Sequence, residues 1–249
     1  MIIRLAEKRI EIHNLFPYLE EYCEEYRADG TPEFSVRVTP EDILRERQKS
    51  EREDLRENRA VRRFSDAYLE TLAVYRKIAR CLLDRDILLF HGSAIAVDGT
   101  GYLFTAKSGT GKSTQARLWR AYFGERAQMI NDDKPLLHVS DCGVTVYGTP
   151  WDGKHRLNTN TSVPLRAICV VKRAAENRIE RADRHRIYPL LVQQTNRPED
   201  AAGMAQTLLL LDRLIARIPI FILHCNMEPD AAVTAYTEMQ KAFAASEDI

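Results

Sequence analysis

Residues 102–123 constrain the fold of this chain more than any other stretch, because they read as strand, glycine loop and helix in immediate succession. Tyr102, Leu103, Phe104 and Thr105 form a short apolar strand, and 115–123 form an amphipathic helix with Ala116, Leu118 and Trp119 inward. Between them runs Ser108-Gly109-Thr110-Gly111-Lys112-Ser113-Thr114. Gly109 and Gly111 reach backbone angles that a side chain forbids, so successive amides turn inward on an anion at a helix N-terminus. Lys112 adds a point charge for β- and γ-phosphates, and the Ser113 hydroxyl is placed to ligate Mg²⁺. The segment reads as a phosphate cradle for a nucleotide. Ala106 stands where the usual pattern has its first glycine, so the loop entrance needs either ordinary backbone angles or strain. A Gly/Ser/Thr-rich connector is the plain alternative, and it leaves the lysine and the strand-loop-helix order without a reason.

With 249 residues, 45% of them hydrophobic, the chain buries a core sufficient for one domain, or one domain with an appendage. No apolar run approaches the roughly 20 residues of a membrane span, and the first residues lack a signal-peptide pattern, so a cytoplasmic protein without a membrane partner is expected. The formal net charge of +0 removes any general field toward nucleic acid. Cys23, Cys81, Cys142, Cys169 and Cys225 stand singly and are odd in number, which fits reduced thiols.

Two segments follow from the patterning: a small α/β appendage over 1–85 and the loop-bearing domain over 86–249. In the first, strands are expected within 2–13 and over 33–38, with a helix over 18–26. The stretch 41–58 is dominated by charges of both signs and reads as a solvated helix or a mobile excursion. Ser65 reads as the N-cap of an amphipathic helix carrying Tyr68, Leu69, Leu72, Tyr75, Ile78, Ala79 and Leu82. In the second, strands over 87–97 and 102–105 flank Asp98-Gly99-Thr100-Gly101, a composition suited to a tight antiparallel turn. A brief strand over 128–131 ends in Asp132-Asp133, and two strands follow about Asp141-Cys142-Gly143. A loop over 148–163, a buried strand over 167–171, helices over 188–194 and 201–218, a strand over 221–225 and a helix from about Pro229 complete the chain.

Phosphoryl transfer needs a metal carboxylate and a group for the acceptor's proton. Asp132 and Asp133 lie 20 residues after Lys112 at a strand's C-terminal end, where ligands gather in α/β sheets. If the strand geometry continues through them, adjacent side chains point to opposite faces, so the two acids take different jobs. We assign Mg²⁺ to Asp133 and the proton to Asp132. Without the loop upstream, the pair would read as a polar strand end.

His91-Gly92-Ser93, the turn after 97, the loop 108–113 and Asp132-Asp133 resemble, in this order and at similar spacing, the catalytic domain of HPr kinase/phosphorylase, a relative of phosphoenolpyruvate carboxykinase. The resemblance covers roughly residues 86–230. It implies an α/β P-loop domain of that type, with a mixed sheet flanked by helices and with ATP and Mg²⁺ as cofactors. It also implies Asp132 as catalytic base, Asp133 as metal ligand and His91 beside the phosphoryl-transfer centre. On the residues alone, His91 reads as a satisfied strand histidine. Thr114 stands where HPr kinases usually carry Glu, their C-terminal signature is absent, and residues 1–85 do not resemble their accessory domain. The pattern is closer to HPr-kinase-like proteins encoded beside peptide-modification genes, some of which phosphorylate serine on a small peptide. HPr kinases assemble as hexamers, which implies a homo-oligomer.

In the stretch 148–156, Pro150 and Gly153 set the path, Trp151 offers a stacking face or a core plug, and Lys154, His155 and Arg156 concentrate positive charge. It reads as a clamp for a γ-phosphate or an anionic acceptor, or as a solvated loop anchored by Trp151. Arg197 is a second cation of the same kind. The expected activity is Mg²⁺- and ATP-dependent phosphorylation of a hydroxyl, on a serine of a peptide or protein or on a serine-like small molecule. A non-catalytic nucleotide sensor acting in a partner complex is the alternative, and a decarboxylating carboxykinase is a third reading whose extra basic and metal-binding residues have no place in the sequence.

Overall fold

The computed structural model describes residues 1–56 and 58–247. Glu57, inside the charged stretch 41–58, and the last two residues of the expected domain 86–249 lie outside the described residues. The chain forms two compact units, Met1–Leu82 and Leu83–Ile249.

In the first unit β1 (Ile2–Leu5) and β2 (Lys8–His13) form an antiparallel hairpin, and β3 (Phe34–Arg37) lies parallel to β2. The 18–26 segment is a short helix α1 (Tyr18–Tyr22) followed by one turn of 3₁₀ helix, Glu24–Tyr26. The charged stretch is a regular helix, α2 (Pro40–Arg56), because its buried acids find partners. Glu46 pairs with Arg76, and Asp54, fully buried, accepts from the Arg59 and Arg62 guanidiniums. The helix α3 (Asp66–Leu83) starts at Ser65, whose hydroxyl accepts from the Tyr68 amide at 3.2 Å, as its N-cap position predicts.

The second unit carries a nine-stranded mixed sheet. Its strands are β4 (Ile87–Leu89), β5 (Ser93–Val97), β6 (Thr100–Thr105), β7 (Ala127–Asn131), β8 (Leu136–Ser140), β9 (Gly143–Tyr147), β10 (Ser162–Arg173), β11 (Arg178–Arg181) and β12 (Ile220–Cys225). The main path runs β4-β8-β9-β10-β6-β5-β7, with β12 beside β10 and β11 beside β12. The β5–β6 pair is antiparallel, turning at Asp98 and Gly99, both at positive φ, and β6 is parallel to β10. The expected antiparallel partner just before the glycine loop is therefore present.

Period-2 alternation divides the side chains between two cores. Leu103, Ile168 and Val170 face one core, with Leu191 of α5 (Arg184–Gln193) and Leu210, Leu211 and Leu214 of α6 (Ala201–Arg217). Tyr102, Phe104, Cys169 and Val171 face the other, with Trp119 of α4 (Lys112–Phe123) and Met239 of α7 (Asp230–Glu247). Trp119, fully buried, packs its ring centroid 4.9 Å from Tyr102 and 5.1 Å from Phe104. Burial of such a ring contributes about 1.5–3 kcal/mol.

Four elements differ from the sequence reading. The expected strand over 87–97 is broken at Phe90-His91-Gly92, because β4 pairs with β8 whereas β5 pairs with β6 and β7. At Gly92 a Cβ would stand 2.8 Å from the Phe104 carbonyl oxygen, so only glycine fits the crossing. The strand expected over 167–171 extends to Ser162–Arg173 by pairing with β9 at its start. β11 was not expected, its Arg-Ile-Glu-Arg sequence carrying one apolar residue. α5 starts earlier than 188, capped by Asp183, whose carboxylate accepts from the His185 amide at 2.9 Å. Among the described residues no helix is long and apolar enough to cross a membrane.

Candidate active site

The loop 106–111 joins β6 to α4 at the C-terminal edge of the sheet. Gly109 and Gly111 stand at φ 74° and 131°, backbone that an L side chain rarely adopts. Ala106 is buried and is not among the described residues at positive φ, so the missing first glycine costs the loop no strain. At its other end α4 begins without a side-chain cap and without an acid in its first turn. The first amides of a helix have no intrahelical partner, and Gly111 at the N-cap has no side chain to offer one. By contrast α6 is capped by Asp200, which accepts from the Gly203 amide at 2.7 Å. The position instead holds Lys112, a cation at the positive end of the helix dipole. Lys112 is buried, and its ammonium donates to the Ala106 carbonyl at 3.2 Å. Burial pulls its pKa down, opposed by the charges of Asp133 and Asp132. A buried cation on uncapped amides is an arrangement completed by an anion.

The two aspartates stand in the turn just after β7, where the strand has ended, and they meet different partners. Asp132 is buried and accepts from the Ser93 hydroxyl. Burial raises its pKa above the usual carboxylate range, opposed by hydrogen bonds from Ser93 and Ser113 and by the charge of His155. The glycine loop's hydroxyl thus meets the first acid of the pair. Asp133 receives His91 Nε2 at 3.0 Å and the Lys134 ammonium. Burial works the other way, but the His91 hydrogen bond and the Lys134 charge hold Asp133 well below the ordinary range, so it stays ionised. The break between β4 and β5 is what brings His91 here: the Gly92 amide donates to the Asp133 carbonyl at 3.0 Å and the Phe90 amide to that of Pro135 at 3.1 Å.

Asn131, fully buried, organises the turn from β7. Its Oδ1 accepts from the amides of Asp133 and Lys134 at 2.9 and 2.7 Å, and its Nδ2 donates to the Thr149 carbonyl at 2.9 Å. Asx turns of this kind are legible in an Asn-Asp-Asp-Lys sequence, and the signal was available. Trp151 is buried, so it plugs the core and offers no stacking face. Gly148 is pinned there too: a Cβ would fall 1.9 Å from the Thr159 carbonyl oxygen.

Of the clamp residues, His155 lies within electrostatic reach of Asp132, Arg156 sits 3.7 Å from buried Asp152 with φ 51°, and Lys154 is exposed with no contact to either aspartate among the described residues. Arg197 is not brought to the acids. The isolated bridge of Phe90 with Thr195 sets Gln194 beside His91, whose amide donates to the Gln194 carbonyl at 2.7 Å, and among the described residues Arg197 makes no ion pair with either acid. Arg173, at the end of β10, was not singled out in the sequence. Its Nη2 donates to the Gly109 carbonyl and its Nε to that of Thr110 at 3.3 Å, turning those carbonyls away from the cradle. No local pattern marks it, since only the parallel pairing of β10 with β6 brings it there.

Among the described residues no group of three or more His, Cys, Asp and Glu is placed to hold a metal. A Mg²⁺ ion fits this donor set nonetheless, because it takes one or two protein oxygens and completes its shell with phosphates and water. Ser113, Asp132 and Asp133 would supply such oxygens, and a phosphate group there would lie against the loop 108–113 and Thr114.

The solved structure of the HPr(Ser) kinase/phosphatase from Coxiella burnetii is similar at 10% identity and TM-score 0.39, over 64% of this chain and 98% of that one. No curated protein matches. The sequence profile described as "SynChlorMet cassette protein ScmC" matches residues 63–231, about two thirds of the chain, from α3 through the glycine loop and the twin acids to the start of α7. The chain belongs to the ScmC family.

Proposed function

We propose that this chain is a Mg²⁺-dependent ATP phosphotransferase acting on a hydroxyl, a serine of a peptide or protein or a serine-like small molecule. One observation carries the reading: a buried lysine at an uncapped helix start shares its surroundings with two acids, the first of which touches the loop's own serine. Bound at the cradle, Mg²⁺-ATP supplies a transferable γ-phosphoryl group and a counter-charge for it. The residues then divide the work. Lys112 and the loop amides bind the phosphates, Ser113 and ionised Asp133 offer oxygens to the ion, and His91 keeps Asp133 oriented. Asp132 orients the acceptor hydroxyl and takes its proton as the acceptor oxygen bonds to phosphorus and the bond to the ADP oxygen breaks. The higher proton affinity of Asp132 fits that role. The contact of Ser113 with Asp132 favours a second reading, in which Asp132 serves the ion and Asp133 the hydroxyl.

Calorimetry with Mg²⁺-ATP and transfer of labelled γ-phosphate to serine-containing peptides test both. Lys112→Ala should weaken ATP binding by about tenfold or more, as loss of a charge-assisted contact does. Asp132→Asn should lower turnover roughly 10²- to 10⁴-fold at unchanged ATP affinity, whereas Asp133→Asn should raise the Mg²⁺ requirement. Exchange of those two phenotypes establishes the second reading. Tight ATP binding with no transfer to any acceptor, and no effect of Asp132→Asn, sinks the kinase and leaves a nucleotide sensor.

A further inference from the structure

The sheet has a second edge that the phosphoryl chemistry does not use. β10 runs parallel to β6 and to β12, so Arg173 lies by the glycine loop, whereas Leu165, opposite Gly101, and Ile220 lie at the other edge. A hollow of about 360 Å³ opens there, where β11 and α6 end and α5 and β12 begin. That volume is within the roughly 300–1,000 Å³ range of small-molecule sites. None of its lining residues belongs to the glycine loop or the acid pair.

The lining carries four arginines, Arg166, Arg181, Arg184 and Arg217, and no acid. They come from β10, β11, α5 and α6, so no single element's periodicity gathers them. The acids nearest along the chain are turned to other groups. Glu180 faces His224 at 3.2 Å and Arg178 at 3.4 Å, and the Asp183 carboxylate accepts from the His185 and Arg186 amides at the start of α5. Asp141, outside the lining, takes Arg217 at 3.3 Å. Arg181 and Arg184 are exposed and make no ion pair among the described residues. Arg184 opens α5, at the helix end that favours an anion over a cation.

Beneath the charges lies an apolar floor. Arg181 is the cross-strand neighbour of Phe221 and shares its face of the sheet. The buried Phe221 and Phe243 rings meet edge-on with centroids 6.2 Å apart, and the Arg166 guanidinium lies 4.5 Å from the Phe243 centroid. Stacking on a ring holds the planar fork of an arginine in one orientation, which suits a carboxylate or phosphate. Guanidiniums of this kind around a hydrophobic floor match a ligand with an anionic head and an apolar body.

We propose that this hollow is a second binding site, separate from the nucleotide cradle, for a small organic anion whose carboxylate or phosphate is held by Arg181 and Arg184 and whose apolar part rests on Phe221 and Phe243. The site does not depend on the kinase reading. Calorimetry on the full chain at low salt compares naphthalene-2-carboxylate, 2-naphthyl phosphate, the neutral naphthalene-2-carboxamide and inorganic phosphate. At least one naphthyl anion should bind about tenfold more tightly than the amide, as a charge-assisted contact allows, and the tighter of the two names the head group. The double variant Arg181→Gln/Arg184→Gln should erase that preference, and each single glutamine variant should lose part of it. The melting temperatures of all three variants should stay within a few degrees of the parent, since both side chains are exposed. Equal binding of the anions and the amide overturns the site. So does a preference that survives the double substitution, which places the anion at the glycine loop or elsewhere. Inorganic phosphate that binds as tightly as naphthyl phosphate also overturns it, because the floor then contributes nothing.

Discussion

Gly111 sits at φ 131°, and a Cβ placed there would have its nearest neighbours 4.0 Å away, so space is free and only the backbone objects to a side chain. Forcing an L residue into such angles costs roughly 1–2 kcal/mol. Gly111→Ala should therefore lower the melting temperature by only a few degrees, while ATP affinity measured by calorimetry falls several-fold as the loop relaxes away from its anion-binding shape. Undiminished affinity would remove the loop from the site. At this scale the sequence was informative where chemistry and spacing coincide: Lys112, Ser113, Asp132 and Asp133 converge. The part played by Ser93 and by Asp152 was not legible, because a hydroxyl or carboxylate becomes significant only through the partners that burial leaves it. Ser93 finds Asp132, and Asp152, fully buried, receives Asn158 Nδ2 at 2.5 Å.

Among elements, α4 stands apart from α5 and α6, both capped by aspartates. Its start is held from outside by Arg173, whose guanidinium fixes two carbonyls of the preceding loop. Arg173→Ala should leave the core packed and the melting temperature within a few degrees, since the side chain is exposed and local. Hydrogen exchange of amides 107–113 should quicken, and ATP affinity should drop about tenfold. Unchanged exchange there would mean that the glycines alone shape the loop. The helices and most strands were legible from periodicity, but β11 and the early start of α5 were not. A strand of Arg-Ile-Glu-Arg is stabilised by its pairing with β12, and that neighbour lies about forty residues further along the chain.

At the scale of the molecule, the two units carry different kinds of stabilisation, and the first leans on buried charge. Hydrogen bonds from the Arg62 side chain and amide, together with the charge of Arg62 and a hydrogen bond from Arg59, lower the pKa of Asp54 from 3.8 to about 2. A carboxyl whose folded pKa lies below its unfolded value stabilises above the unfolded pKa and loses that contribution as pH falls through the folded one. Stability measured by denaturant titration should accordingly decline between about pH 4 and pH 2, and Asp54→Asn, less stable at neutral pH, should show a flatter curve in that window. Parallel curves for the two proteins would mean that the Asp54 cluster does not titrate with unfolding.

What the sequence settled by itself was whatever depends on neighbours along the chain. The strand-loop-helix order, the tight turn at Asp98-Gly99 and the Ser65 cap are consequences of backbone preference over a few residues. Tertiary structure alone decided what depends on distant chain segments meeting. It broke 87–97 into two strands with different partners and delivered His91 to Asp133 and Arg173 to the loop. Those outcomes follow from sheet order, which is fixed by the total burial of both faces and so cannot be read from any window of the chain.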